Sequence, residues 1–167
     1  MPIKKEKDFW AASAIIITTI ILMISVSLHW LRLGFLIGPF RLNHWLVLIG
    51  TFYVVFSVPI IVLLKKRLPT KRWILLRLHV FGNLIAFTFV SVHFASQVNR
   101  PTASFPNLGT GVVLYAAMVL LVATGISQRF QIISRIRPQT YRFLHTSSAV
   151  VLYLTIVVHI LHGLGIL

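Results

Sequence analysis

The amino-acid sequence predicts an all-α membrane protein in which five transmembrane helices form a single domain. Of its 167 residues, 57% are hydrophobic and only 11% are charged, whereas a soluble domain is about half apolar and about a quarter charged. The mean hydropathy is +0.91. Five apolar stretches reach or approach the roughly 20 residues that a helix needs to cross a bilayer. None of them alternates like the strand of a membrane barrel.

Each predicted span has a recognisable boundary. The first follows Lys7, and its long apolar run predicts an uncleaved anchor rather than a signal peptide. The second ends at the basic cluster that begins with Lys65, and the third begins at the interfacial Trp73. The fourth is the shortest and precedes Arg129, and the fifth follows Arg142. The spans cover about 9–28, 46–64, 73–96, 111–126 and 143–167.

The basic residues predict the orientation of these spans. The chain has sixteen Lys and Arg residues and only two acidic residues, which gives a net charge of +14. Such a charge in a soluble protein would suggest nucleic acid, but these residues lie between apolar segments, and we expect no nucleic-acid partner. Thirteen of them fall on one side, and Arg32, Arg41 and Arg100 on the other. The positive-inside rule therefore predicts a multi-pass protein of the cell membrane with a cytoplasmic N-terminus and an outside C-terminus.

The remaining composition excludes several kinds of chemistry. The chain has no cysteine, which excludes disulfides, iron–sulfur clusters, cysteine-ligated zinc and covalently attached c-type haem. Only short loops remain outside the five spans, so there is no room for a soluble catalytic domain. The connection 29–45 is unusually apolar, and we expect it to be an interfacial or re-entrant segment.

Four of the seven histidines form two matched pairs. His79 and His93 lie in the third span, and His145 and His159 lie in the fifth. In both pairs the separation is fourteen positions, which in a helix is about 21 Å of rise and only ~40° of rotation. Each helix therefore presents two imidazoles on one face, one near each leaflet. Ionisable side chains inside a membrane are rare and usually functional.

Two facing helices with such pairs are suited to hold a cofactor between them. The third and fifth spans run in the same direction, so His79 and His145 share the cytoplasmic leaflet while His93 and His159 share the outer one. These imidazoles suit the axial ligation of two stacked haem irons. Without a Cys-x-x-Cys-His motif, the haems are expected to be non-covalent haem b. The predicted fold is thus a five-helix bundle around two haems.

The paired histidines and their context resemble the transmembrane domain of ferric reductases and NADPH oxidases. Arg77-Leu78-His79 opens one helix, and Tyr141-Arg142-Phe143-Leu144-His145 opens the other. The resemblance covers residues from about 45 to the end and implies that the four histidines ligate two b haems. The chain has no flavin- or nicotinamide-binding motif, so its electron donor is expected to be a redox partner protein or a quinol.

Other residues near the histidines have two interpretations each. Arg77, Arg142 and Arg100 either pair with haem propionates or only anchor the helices at the membrane surface. Gly82 either lets a haem ring approach its helix or mediates ordinary helix packing. Asn83 and Thr155 share a helical face with His79 and His159, and they either orient these ligands or bond a backbone carbonyl.

Three histidines lie outside the paired set. His29, His44 and His162 are predicted near the outer face, where they could form a site for an oxidised metal acceptor. His162 also competes with His159 as a ligand, but its separation of seventeen from His145 rotates it roughly 100° away. His159 is therefore preferred.

The sequence supports three functions. The first is a dihaem electron conduit from a cytoplasmic-side donor to an outer-side acceptor such as ferric iron, oxygen or a redox protein. The second is a quinol-coupled cytochrome b anchor of a larger respiratory complex, although the Pro-Glu-Trp-Tyr motif of quinol–cytochrome c reductases is absent. The third is a structural subunit whose histidines only hydrogen-bond between helices. Oligomeric state does not follow from the sequence.

Overall fold

Five long helices dominate the computed structural model, which is 84% helical. It describes residues 3–98, 108–133 and 135–166. The helices are α1 Ile3–Ser27, α2 Leu42–Arg67, α3 Arg72–Val98, α4 Leu108–Phe130 and α5 Pro138–Gly163. All five are long and apolar enough to cross a membrane. The prediction of five helices long and apolar enough to span a membrane is therefore confirmed for the described residues, and it is consistent with a multi-pass membrane protein.

The helices begin earlier than the predicted spans, and α2, α3 and α4 also end later. Hydropathy marks the apolar centre of a span, whereas Lys and Arg are good helix formers and continue the helix beyond it. Lys65, Lys66 and Arg67 occupy the last turn of α2, where cations also stabilise the helix dipole. The fifth helix begins at Pro138, because proline fits the first turn. It ends before the predicted position, and Gly165 follows it with a left-handed φ of +69°.

The helices fall into two compact units, Met1–Asn99 and Arg100–Leu167. In the first unit, α3 packs against both α1 and α2. The second unit is formed by α4 packed against α5. The paired histidines of α3 thus belong to one unit and those of α5 to the other.

Polar and apolar contacts together join α1 to α3. The hydroxyl oxygens of Thr19 and Thr88 lie 2.7 Å apart, and Thr19 is only 1% exposed. Nearer the end of α1, Val26 packs with Val92 and Ala95 in a buried apolar cluster. Hydrogen bonds between hydroxyls hold helices together in lipid, where burial of apolar surface provides little driving force for helix association.

Close approach of the backbones joins α2 to α3. A β-carbon on Gly50 would lie 3.1 Å from the carbonyl oxygen of Ala86, so a larger residue would force the two helices apart. Near the start of α2, the Asn43 amide donates to the Ser96 hydroxyl at 3.1 Å. Small residues at such contacts are typical of membrane helices.

A short β-hairpin occupies the apolar connection between α1 and α2. Its strands are β1 Leu36–Ile37 and β2 Phe40–Arg41, paired antiparallel. Gly38 turns the chain with a φ of +60°, a conformation that glycine adopts without steric cost. The indole N–H of Trp45 donates to the Ile37 carbonyl at 2.8 Å. The hairpin was not predicted, because two-residue strands leave no alternating pattern to detect.

Large apolar side chains are exposed along the helices of both units. On α1, Ile17 is 57% exposed and Ile21 is 56% exposed, and on α2, Phe52 is 66% exposed. On α5, Leu154 is 65% exposed. Contiguous apolar surface of this kind is unfavourable in water, but it is the expected surface of helices that face lipid.

Candidate functional site

The first unit holds His79 and His93 on α3, and both are half-buried. The ring nitrogen Nδ1 of His79 lies 3.2 Å from the amide nitrogen of Asn83, one helical turn later. The other amide atom, Oδ1 of Asn83, is buried without a hydrogen-bond partner in the described structure. Rotating this amide by 180° would place its oxygen against Nδ1 as an acceptor. Asn83 is therefore positioned to orient the His79 ring, which is one of the two roles that the sequence left open for it.

The ring of His93 lies beside that of His44 on α2. Their centroids are 5.6 Å apart, with an angle of 55° between the planes. The sequence placed both residues near the outer face but did not predict this contact, because the hydropathy of two spans does not reveal which faces pack together. His29 lies in the turn after α1 with a left-handed φ of 61°.

The second unit holds His145 and His159 on α5, each opposite a threonine of α4. The hydroxyl oxygen of Thr124 lies 3.2 Å from Nδ1 of His145. The hydroxyl oxygen of Thr110 lies 3.0 Å from Nδ1 of His159. In both cases the contact uses Nδ1, the ring nitrogen nearer the backbone.

A glycine follows each of these threonines and lies against the same imidazole. A β-carbon on Gly125 would be 3.0 Å from Cε1 of His145. The corresponding distance from Gly111 to Cε1 of His159 is 3.6 Å. Thr110-Gly111 and Thr124-Gly125 are separated by fourteen positions, the same separation as the two histidines of α5. The repeat is visible in the sequence, but nothing in the pattern of α4 alone links its threonines and glycines to the histidines of α5.

The structure pairs Arg77 with an acidic residue. Both Nε and a terminal nitrogen of Arg77 donate to Oδ1 of Asp8, at 3.0 Å and 2.5 Å. Asp8 is 2% exposed, and the Arg77 side chain is 44% exposed. One of the sequence-predicted propionate partners thus already has a carboxylate partner within its own unit. Arg142 is exposed on the first turns of α5, and Arg100 lies outside the described residues.

Gly82 lies under an aromatic ring. A β-carbon at this position would overlap the phenol of Tyr53, whose hydroxyl donates to the Leu78 carbonyl at 2.7 Å. This contact matches the helix-packing interpretation of Gly82. Thr155 donates to the Val151 carbonyl at 2.8 Å, which is the backbone role that the sequence left open for it. Nε2 of His162 is buried without a hydrogen-bond partner in the described part of the chain.

The described residues contain no group of three or more His, Cys, Asp or Glu side chains that could hold a metal ion. Axial ligation of a haem iron needs only two imidazoles, because the macrocycle supplies the other ligands. Comparison of the chain with protein-family models, curated proteins and solved structures finds no significant match.

Proposed function

We propose that this protein is a dihaem b-type cytochrome that carries electrons across the cell membrane. The observation that carries the proposal is that two membrane-spanning helices each bear a pair of histidines fourteen positions apart. A separation of about 21 Å along a helix places one imidazole of each pair in each leaflet. His79 and His145 would ligate the cytoplasmic-side iron, and His93 and His159 the outer-side iron.

The chemistry of the donor set fits a haem. His145 and His159 are half-buried, and their Nδ1 atoms face threonine hydroxyls. Ligating histidines commonly engage one ring nitrogen in a hydrogen bond and bind the metal with the other. His79 has the same arrangement with Asn83 in place of threonine. A bound haem iron supplies one-electron chemistry by alternating between its ferrous and ferric states.

The rest of the chain would act as insulator and anchor. Exposed apolar side chains of the helices face lipid, which keeps water and ions away from the imidazoles. The basic connections between α2 and α3 and between α4 and α5 would bind anionic lipid or a negatively charged donor. A redox partner protein or a quinol would supply electrons, and ferric iron, oxygen or a redox protein outside would accept them.

The experiment is a haem count on matched histidine variants of the full-length chain purified in detergent. A reduced-minus-oxidised spectrum and a pyridine haemochrome assay give the type and number of haems per chain. We expect two b haems in the unmodified protein and about one in His93→Leu or His159→Leu. His162→Leu is the matched control on the same helix and retains two.

Two results would overturn the proposal. One is the absence of haem from a chain that is helical by circular dichroism after expression with sufficient haem. The other is unchanged haem content in both His93→Leu and His159→Leu. Where two haems are found, reduction by added quinol and sensitivity to quinone analogues would identify the quinol-coupled cytochrome as the correct form of the function.

A further inference from the structure

The Thr-Gly pairs of α4 repeat one local arrangement at two levels of the second unit. At each level a threonine hydroxyl meets Nδ1 of an α5 histidine, and the next residue is a glycine that faces Cε1 of the same ring. Equal separations of fourteen positions on two packed helices bring both contacts into register, since both helices have the same rise per residue. We infer that Thr110-Gly111 and Thr124-Gly125 are positioning residues that hold His159 and His145 as Nδ1–H tautomers.

The short hydrogen bond from Thr124 to the backbone favours one direction for its contact with His145. Its hydroxyl donates to the carbonyl of Leu120 at 2.7 Å, with a longer contact of 3.1 Å to Leu121. A hydroxyl has one hydrogen and two lone pairs. Because that hydrogen is directed to the backbone, the oxygen can only accept from the imidazole. Nδ1 of His145 therefore carries the proton, and Nε2 keeps its lone pair.

The glycines leave the space that the rings occupy. A methyl group on Gly125 would come within 3.0 Å of Cε1 and 3.5 Å of Nδ1 of His145, so the ring would have to move by a few tenths of an ångström. The same group on Gly111 would meet His159 at an ordinary contact distance of 3.6 Å. The two levels therefore have the same arrangement of residues, but the glycine–imidazole contact is closer at Gly125 than at Gly111.

The inference deepens the proposed function and rests on it for its consequence. A hydrogen bond from Nδ1–H fixes the orientation of a ligating imidazole and makes Nε2 more basic. Thr124 and Thr110 would thereby lower the reduction potentials of the two irons relative to variants that lack the acceptor oxygen. The tautomer itself is a property of the chain and can be measured whether or not haem is bound.

The first test observes the Nδ1 proton directly in the full-length chain, labelled with ¹⁵N-histidine and reduced with dithionite. Long-range ¹H–¹⁵N correlation spectra should show protonated, exchange-protected Nδ1 atoms for His145 and His159. In Thr124→Val, which keeps the shape but loses the acceptor, we expect Nδ1–H of His145 alone to exchange about tenfold faster. Thr124→Ser should restore protection, and the control Thr155→Val should change neither histidine.

The second test uses the difference between the two glycines. Gly125→Ala should shift the midpoint potential and the ferric electron paramagnetic resonance signal of one haem, whereas Gly111→Ala should leave both unchanged. Protonated Nε2 at His145, or equal exchange rates in the unmodified protein and Thr124→Val, would overturn the inference. A chain without haem whose Nδ1–H atoms are protected would instead overturn only the proposed function.

Discussion

The α-carbon of Gly82 lies against the phenol ring of Tyr53, which occupies the space that any larger residue would need. We expect Gly82→Ala to destabilise the first unit by about 1–3 kcal/mol, because overpacking forces the ring or a helix to move. Gly163→Ala is the matched control, since a β-carbon there has no neighbour within 4 Å. Thermal unfolding in detergent measures both.

A double variant separates helix packing from a role of Gly82 toward a cofactor. In a Tyr53→Ala background the added methyl group has room, so Gly82→Ala should cost almost nothing. If the cost persists in that background, the Tyr53 contact is not what requires glycine at position 82.

The sequence predicts the role of a residue only where the pattern that reveals this role lies within a single helix. The four paired histidines were found because their spacing is a property of a single helix. The partner of Arg77 was missed, because Asp8 lies 69 positions away and nothing in the pattern of either helix links them. The threonine hydroxyls that contact the imidazoles of α5 were missed for a similar reason. Asn83 was noticed because it shares a helical turn with His79.

At the scale of elements, α1 is attached to α3 at three levels. The pair of Asp8 and Arg77 lies near the start of both helices, the hydroxyls of Thr19 and Thr88 meet at mid-length, and the cluster around Val26 lies near the end of α1. A buried carboxylate that loses its partner is strongly unfavourable, so the first of these contacts is expected to have the largest effect on attachment.

We therefore expect Arg77→Gln to lower stability by about 2–4 kcal/mol, since it leaves the buried Asp8 carboxylate without this counter-charge. Asp8→Asn should cost less, because the half-exposed guanidinium can turn toward water. The double variant should cost much less than the sum of the two, and chemical unfolding of all four proteins gives the coupling energy. Additive losses would show that the two side chains act independently.

At the scale of the whole molecule, the number of helices followed from hydropathy alone, but their grouping did not. Side chains that face lipid and side chains that face a neighbouring helix are equally apolar, so the sequence does not mark the packed faces. The contacts that do mark them are small or polar, such as Gly50 against Ala86 and Thr124 against His145. Such contacts are few in any one helix and carry little periodic signal.

The orientation of the chain is the prediction on which the direction of electron transfer depends. Because the protein contains no cysteine, single cysteines can report which side of the membrane each connection faces. Thr70→Cys lies between α2 and α3, Arg137→Cys lies before α5, and Arg32→Cys lies between α1 and α2. The positive-inside rule places the first two connections in the cytoplasm and the third outside.

In intact cells, a membrane-impermeant maleimide should therefore label Arg32→Cys and leave Thr70→Cys and Arg137→Cys unlabelled. After the cells are opened, all three should react, which controls for buried thiols. The reverse pattern would exchange the proposed donor and acceptor sides while leaving the histidine pairs intact, since α3 and α5 would still each present one imidazole near either leaflet. Labelling of Thr70→Cys and Arg137→Cys from opposite sides would rule out five spans, because two helices, α3 and α4, separate these positions and an even number of crossings returns the chain to the same side.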